Sequence, residues 1–335
     1  MTFDTKESTR RFGNKVNIVF TALIIIGLIL IIIKNKERLD EYKETLVNIN
    51  YWQVLVVFGI AVSTNVFRSW RWYYLLVPIK FNLSFITVLR VNINGIAANL
   101  STPGKAGIPV KAYLLKKIEN IDYSRSLPSL LGELVLEYSG QILFMIGSIL
   151  VGGHFSKLYL TTKTLVQNQS LLNNTLLVIA GGSVLIFTAY LLRKKINLSD
   201  FTNKFKGAVQ ETGKRWDCWL YSGSITLFNL IIEFAGFWLL LVSLGHSEIG
   251  FTFIIFSSAI TNVVGLLSPL PGGIGAREIT IYGLYDFYLG LGGIAFLAML
   301  IMRIITYLAL FMLFLLERAI SSMLHAKKLN EYPVG

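Results

Sequence analysis

Residues 267–278 read Leu-Ser-Pro-Leu-Pro-Gly-Gly-Ile-Gly-Ala-Arg-Glu, a loop dense in proline and glycine that ends in two adjacent charges. An apolar segment, 251–267, leads into this loop, and a longer one, 291–316, begins shortly after it. Irregular backbone and charged side chains occur at membrane depth only where protein or a water-filled cavity surrounds them. The stretch therefore predicts a binding site rather than a surface turn.

The composition is typical of a membrane protein. Of the 335 residues, 54% are hydrophobic and only 15% are charged, and the mean hydropathy is +0.61. Soluble domains carry about 25% charged residues, and several apolar runs here approach the roughly 20 residues that span a bilayer. We therefore expect an all-α polytopic membrane protein, with residues 1–335 in a single integral membrane domain.

The net charge of +12 could suggest a nucleic-acid partner, but the basic residues lie in short loops between apolar segments. There they set the topology and contact anionic lipid, so we expect membrane lipids and no nucleic acid as partners. One cysteine excludes an intrachain disulfide, and three scattered histidines share no metal-ligand spacing. The sequence predicts neither a metal nor a cofactor, and it leaves open whether the protein is a homo-oligomer.

Six apolar segments are long enough to be full spans, and two others are weaker and interrupted. We interpret the weaker ones, 81–118 and 251–290, as re-entrant helical hairpins that return to the side from which they entered. The alternative makes every segment a full span and gives eight or more. The six predicted spans are centred on residues 16–33, 52–66 (with an extension towards 77), 127–151, 176–192, 219–244 and 291–316.

The basic residues support this topology. With the loop 193–218 in the cytoplasm, the cytoplasmic pieces contain 22 Lys and Arg residues and the outer loops contain six. This split follows the positive-inside rule and places both termini in the cytoplasm of a cell membrane. Three spans lie between the hairpins, an odd number, so the two hairpins would enter from opposite sides and meet near the midplane.

The two interrupted segments are alike in sequence. Pro103-Gly104-Lys105-Ala106-Gly107 is followed by Lys111, and Pro271-Gly272-Gly273-Ile274-Gly275 is followed by Arg277. Hydrophobic segments broken by Gly and Pro at corresponding positions of two halves indicate a transporter site between inverted repeats.

Charged residues inside the other spans extend the predicted site. Glu133 and Glu137 lie four residues apart on one helix face, as do Asn229 and Glu233, and Arg303 lies within the last span. One interpretation is that buried ion pairs, such as Glu233 with Arg303, only hold the helices together. The other is a polar cavity in which the hairpin tips bind an anionic head group. The predicted binding residues are Arg277, Glu278, Lys105, Lys111, Glu133, Glu137, Gly272, Gly273, Gly275, Gly104 and Gly107, with Glu233, Arg303 and Asn229 in support or in coupling.

A further run, Arg68-Ser69-Trp70-Arg71-Trp72-Tyr73-Tyr74, mixes aromatic and basic residues at the end of the second predicted span. Such mixtures are typical of the membrane–water interface. We therefore predict that this run anchors the span at the interface.

Two stretches together resemble the transmembrane domain of lysylphosphatidylglycerol synthases and its stand-alone, flippase-like relatives. They are 99–115, with Gly107 and Val110-Lys111-Ala112-Tyr113-Leu114-Leu115 and followed by Glu133 and Glu137, and 268–278. Ile108 stands where family members usually have an acid, and Leu134 where they usually have an arginine. The resemblance implies a bacterial or archaeal protein that moves a lipid with a polar head between leaflets.

The resulting hypothesis is a flippase-like transporter for a polar, phosphate-bearing lipid, either a phospholipid or a polyprenyl-linked sugar. In the bifunctional relatives a soluble aminoacyl-transferase domain follows the membrane part. Because this chain ends shortly after its last span, we do not expect synthase activity or any other enzymatic activity. The alternatives are a membrane enzyme acting on a lipid phosphate and a small-solute transporter.

Overall fold

The fold is known from a computed structural model that describes residues 39–80, 82–102, 106–152, 210, 213–268 and 270–331. Within these residues the regular structure is helical, with nine α-helices and one short 3₁₀ helix at Pro271–Gly273. The α-helices are α1 (Leu39–Val47), α2 (Tyr51–Leu76), α3 (Phe85–Ser101), α4 (Gly107–Glu119), α5 (Tyr123–Gly152), α6 (Trp216–Ser243), α7 (Phe251–Leu267), α8 (Ala276–Leu289) and α9 (Gly292–Glu331).

Four helices are long and apolar enough to cross a membrane: α2, α5, α6 and the first 32 residues of α9. They coincide with four of the six predicted full spans, which confirms a polytopic membrane protein. The remaining two predicted spans, 16–33 and 176–192, lie outside the described residues. The side chain of Asn50 begins α2 by accepting hydrogen bonds from the backbone N–H groups of Trp52 and Gln53.

The two interrupted segments each form a pair of shorter helices. In the first segment α3 packs against α4, and in the second α7 packs against α8. Helices α3 and α7 have 17 residues each, a length of about 25 Å against a hydrocarbon core of about 30 Å. Their re-entrant path through the membrane stays a prediction.

The described helices repeat one order. A long helix, a broken pair and a second long helix occur first as α2–α5 and again as α6–α9. The two leading helices, α2 and α6, pack against each other in antiparallel orientation. The backbone N–H of Asn50 donates to the carbonyl of Ser243 at one end, and the rings of Tyr74 and Tyr221 stack 5.4 Å apart at the other.

Each half contributes a hydrophobic core of its own. In the first half, Trp72, Leu115 and Leu130 are fully buried at the contact of α2, α4 and α5. In the second half, Leu240 and Ile281 belong to a larger core built mainly from α6 to α9. The space that remains between the two cores contains the polar site.

Candidate functional site

A cavity of about 310 Å³ lies between the two halves. Its lining comes from both long helices of each half and from both broken pairs. Most lining side chains are apolar or neutral, but seven are charged, four of them basic and three acidic. The charged residues of the described lining are Arg68, Arg71, Lys111, Arg277, Glu133, Glu137 and Glu233.

The first half pairs its own charges within a compact network. Arg71 is almost completely buried and donates to Glu137 and, over 3.1 Å, to Glu133. The ammonium of Lys111 donates to the second oxygen of Glu133 over 2.8 Å and lies 4.7 Å from the centre of the Trp72 ring. Both glutamates therefore accept charge-assisted hydrogen bonds, which compensate for their removal from water.

A third pair connects the two halves. Arg68 of α2 donates to Glu233 of α6 over 2.8 Å. Arg68 lies 17 residues after Tyr51, the first residue of α2, and Glu233 lies 17 residues after Trp216, the first residue of α6. Residues at the same position of the two leading helices thus meet across the cavity with opposite charges.

Arg277 is the exception among the cavity cations. It forms no ion pair with any residue that the structure describes, whereas Arg68, Arg71 and Lys111 each do. Its Nε is buried without a hydrogen-bond partner among those residues, as are the Nε atoms of Arg68 and Arg71. Glu233 attracts it at longer range but is already bonded to Arg68. Because an uncompensated charge away from water is costly, a partner for this guanidinium within the cavity, either water or an anion, would stabilise it.

The aliphatic parts of Lys111 and Arg277 pack in the same way, each against a glycine of the preceding helix. A Cβ added to Gly95 of α3 would lie 2.5 Å from Cγ of Lys111, and one added to Gly265 of α7 would lie 2.7 Å from Cγ of Arg277. In each broken pair, therefore, a glycine on the first helix makes room for a basic side chain on the second.

The backbone repeats this correspondence. Gly107 packs against the carbonyl of Gly95, and Gly273 packs against the backbone of Gly265. The basic residue follows four positions later in both cases, so Gly107-Ile-Pro-Val-Lys111 corresponds to Gly273-Ile-Gly-Ala-Arg277. The shared Pro-Gly-x-x-Gly pattern instead predicts that Gly107 corresponds to Gly275. In the structure the residue that corresponds to Gly107 is Gly273, two positions earlier.

Glu278, predicted to bind substrate, does not line the cavity. Its side chain is buried and accepts from the backbone N–H of Gly275 over 2.6 Å and from the guanidinium of Arg303. Arg303 also donates to the carbonyl of Gly272 over 3.3 Å. This pair holds the break between α7 and α8 in place, because it ties the irregular backbone to α9.

The predicted site residues therefore divide into three groups. Lys111, Glu133, Glu137, Glu233, Gly272, Gly273 and Arg277 line the cavity. Outside its lining lie Glu278, Arg303, Gly275, Gly107 and Asn229. The amide of Asn229 is buried without a hydrogen-bond partner among the described residues. Gly104 and Lys105 lie outside the described residues. The predicted pair of Glu233 with Arg303 is wrong, since these residues bond to Arg68 and Glu278.

Sequence reasoning missed Arg68 and Arg71 as site residues. It placed them in an interfacial belt, which is wrong for Arg71 and for the fully buried Trp72. One signal was available: Asn65, Arg68 and Arg71 recur every third residue, which puts polar side chains along a single face of α2. An interfacial anchor would not need such a stripe, whereas a polar cavity does.

Long apolar helices around a charged internal cavity define the class of this molecule, a multi-pass membrane protein with a polar internal site. Residues 18–313 match the family model described as the lysylphosphatidylglycerol synthase TM region, and the chain belongs to this family. The resemblance seen in the two glycine-containing stretches is thereby confirmed. A comparison with curated proteins returned no match. Among the described residues there is no group of three or more His, Cys, Asp or Glu side chains that could hold a metal ion.

Proposed function

We propose that this protein moves a lipid with an anionic, phosphate-bearing head group between the leaflets of a cell membrane. The head group would occupy the cavity between the two halves while the hydrocarbon tails remain in the bilayer. Membership of a membrane-domain family of lipid-related proteins supports this function. The lipid would leave chemically unchanged, so the protein would act as a transporter and not as an enzyme.

The observation that carries the proposal is the state of Arg277. Its guanidinium faces the cavity and has no ion-pair partner in the described chain. A guanidinium offers several N–H donors in a planar fork that matches two phosphate oxygens at once. A phosphate in the cavity would supply both the missing charge and the missing hydrogen-bond acceptor.

The arrangement of the two halves suggests how the cavity could open to either side. We propose that they are inverted repeats, with α3–α4 and α7–α8 as re-entrant hairpins and both termini in the cytoplasm. Three observations support this relation. The helix order is repeated, α2 and α6 are antiparallel, and Lys111 and Arg277 each pack against a glycine of the preceding helix. Rocking of one repeat against the other about a site between them is the usual mechanism in such transporters.

Leaflet transfer in proteoliposomes tests the function. A fluorescent phosphatidylglycerol is placed in both leaflets, and a membrane-impermeant reductant measures how fast inner-leaflet lipid becomes accessible. We expect Arg277→Gln to slow transfer about 10- to 100-fold, because a hydrogen bond to a charged group contributes roughly 1.5–3 kcal/mol. Arg277→Lys should give an intermediate rate, since lysine keeps the charge but loses the planar fork.

Lys116→Gln is the matched control, because it removes a half-exposed cation that pairs with Asp122 away from the cavity. Its transfer rate should equal that of the unaltered protein. Soluble glycerol phosphate should not enter the vesicles, which separates lipid transport from small-solute transport. Equal rates for Arg277→Gln and the unaltered protein would refute the proposed role of the cavity.

A further inference from the structure

We infer that the cavity accepts a head group with one negative charge, a phosphodiester, in preference to a head group with two, such as a phosphate monoester, because three of the four cations in its described lining are already paired with carboxylates. This inference rests on the proposed function and names the class of lipid for the same site.

The three carboxylates of the cavity are all occupied. Glu133 accepts from Arg71 and Lys111, Glu137 accepts from Arg71, and Glu233 accepts from Arg68. Together they compensate three of the four positive charges, so that the described lining keeps one net positive charge. A monoanionic phosphodiester neutralises this charge, whereas a second charge on the ligand would stay uncompensated in a poorly solvated space.

The paired cations are not available for a second charge. Arg71 is 3% exposed and bridges two glutamates of α5, so turning it towards a ligand would leave a buried carboxylate unpaired. Lys111 is 7% exposed and is held between Glu133 and the Trp72 ring. Arg68 is bonded to Glu233. Of the four cations in the described lining, Arg277 is therefore the one that can bind an anion without breaking an existing pair.

The size of the cavity agrees with a small head group. Its volume of about 310 Å³ corresponds to on the order of ten water molecules at ~30 Å³ each. A phosphodiester with a short alcohol or a three-carbon polyol has a similar number of non-hydrogen atoms. A pyrophosphate exceeds the one positive charge that the described lining leaves uncompensated.

Glu233 offers a way to change the charge selectivity. Its carboxylate is 22% exposed and compensates Arg68, which is itself 27% exposed towards the cavity. Glu233→Gln keeps the shape of the side chain and removes its negative charge. Arg68 would then keep only its longer contact of 3.9 Å with Glu137, a carboxylate that also accepts from Arg71. The described lining would have two net positive charges in place of one, and a dianionic head group should become the preferred ligand.

Two lipids with the same acyl chains provide the test. Phosphatidylmethanol is a phosphodiester with one charge, and phosphatidic acid at pH 8.5 is a monoester with a larger negative charge and nearly the same size. Binding of each to the full-length purified protein is measured by competition against a fluorescent phosphatidylglycerol. We expect the unaltered protein to bind phosphatidylmethanol more tightly by about tenfold, since the second charge of the monoester stays unpaired.

Glu233→Gln should shift the ratio of the two affinities towards phosphatidic acid by about tenfold or more. If this variant does not fold, Glu137→Gln replaces it, because it frees part of the charge of Arg71 by the same reasoning. Equal or tighter binding of phosphatidic acid by the unaltered protein would overturn the inference, and so would an unchanged ratio in a folded Glu→Gln variant.

Binding and leaflet transfer of the same two lipids together separate the charge selectivity from the transport function. A clear preference for phosphatidylmethanol without any leaflet transfer would support the charge selectivity and contradict the transport function. Leaflet transfer at equal rates for both lipids would support transport and contradict the selectivity.

Discussion

Lys111 and Arg277 occupy corresponding places in the two halves of the molecule, but only Lys111 has a partner. Each packs its aliphatic part on a glycine of the preceding helix, Gly95 or Gly265. A second glycine, four residues before the basic residue, packs against that same glycine. Lys111 bonds to Glu133 of α5, whereas Arg277 has no carboxylate within ion-pair distance in the described chain. The difference teaches that a shared backbone arrangement can hold a paired charge in one half and a charge without an ion pair in the other.

The largest expected effect is on the free energy of unfolding. It comes from removing the partner of Lys111, so that the first half also contains an unpaired cation. Glu133→Gln removes the negative charge that Arg71 and Lys111 share. Breaking a buried pair in this way destabilises a protein by about 3–5 kcal/mol. Chemical or thermal unfolding of the purified protein in detergent measures the loss.

Glu119→Gln is the control for that variant, because Glu119 pairs with the more exposed Lys80 near the end of α4. Its effect should stay below about 1 kcal/mol. If Glu133→Gln unfolds at the same point as the unaltered protein, the network around Arg71 does not stabilise the first half.

A smaller effect is expected from the ion pair that supports the second break. Glu278→Ala removes the acceptor for the backbone N–H of Gly275 and for Arg303. Because both hydrogen bonds are lost, the free energy of unfolding should fall by about 3 kcal/mol. Leaflet transfer per folded molecule should change less than in Arg277→Gln, since Glu278 does not line the cavity. A folded Glu278→Ala protein that is as inactive as Arg277→Gln would place Glu278 in the binding site.

The smallest effect is expected from replacing the two glycines, Gly95 and Gly265, against which Lys111 and Arg277 pack. Gly95→Ala and Gly265→Ala each introduce a methyl group against a basic side chain, and each should destabilise the protein by about 1–3 kcal/mol. Only Gly265→Ala should also weaken binding of a fluorescent anionic lipid, because it displaces the free guanidinium of Arg277. Gly59→Ala in α2 is the control, since nothing lies within 4 Å of its added Cβ and alanine favours a helix. Equal loss of lipid binding in Gly95→Ala and Gly265→Ala would contradict the functional difference between the halves.

The sequence predicted the outline of the fold because its signals are local. The four long helices are continuous apolar runs, and the break between α7 and α8 follows from Pro271 and its neighbouring glycines. The pairing of charges could not be predicted, because it depends on how each helix is rotated about its axis. Arg71 illustrates this: its aromatic neighbours indicated an interface, but the rotation of α2 turns it towards Glu133 and Glu137.

Arg277, which the sequence predicted as a site residue, lines the cavity for a physical reason. A charge beside a glycine-rich break must be sheltered at membrane depth, whatever the rotation of the helices. Glu278 has the same local signal, yet the structure bonds it to Gly275 and Arg303. Two adjacent residues of a helix point in different directions, so the motif identifies the region but not the side chain that faces the cavity.

The contact of Arg68 with Glu233 limits how this protein could have been assembled or could be redesigned. A chain made from two copies of the first half would bring two arginines together at this point, and one made from two copies of the second half would bring two glutamates together. Like charges at this distance repel. A simplified, fully symmetric version of the molecule therefore requires a different residue at this one position.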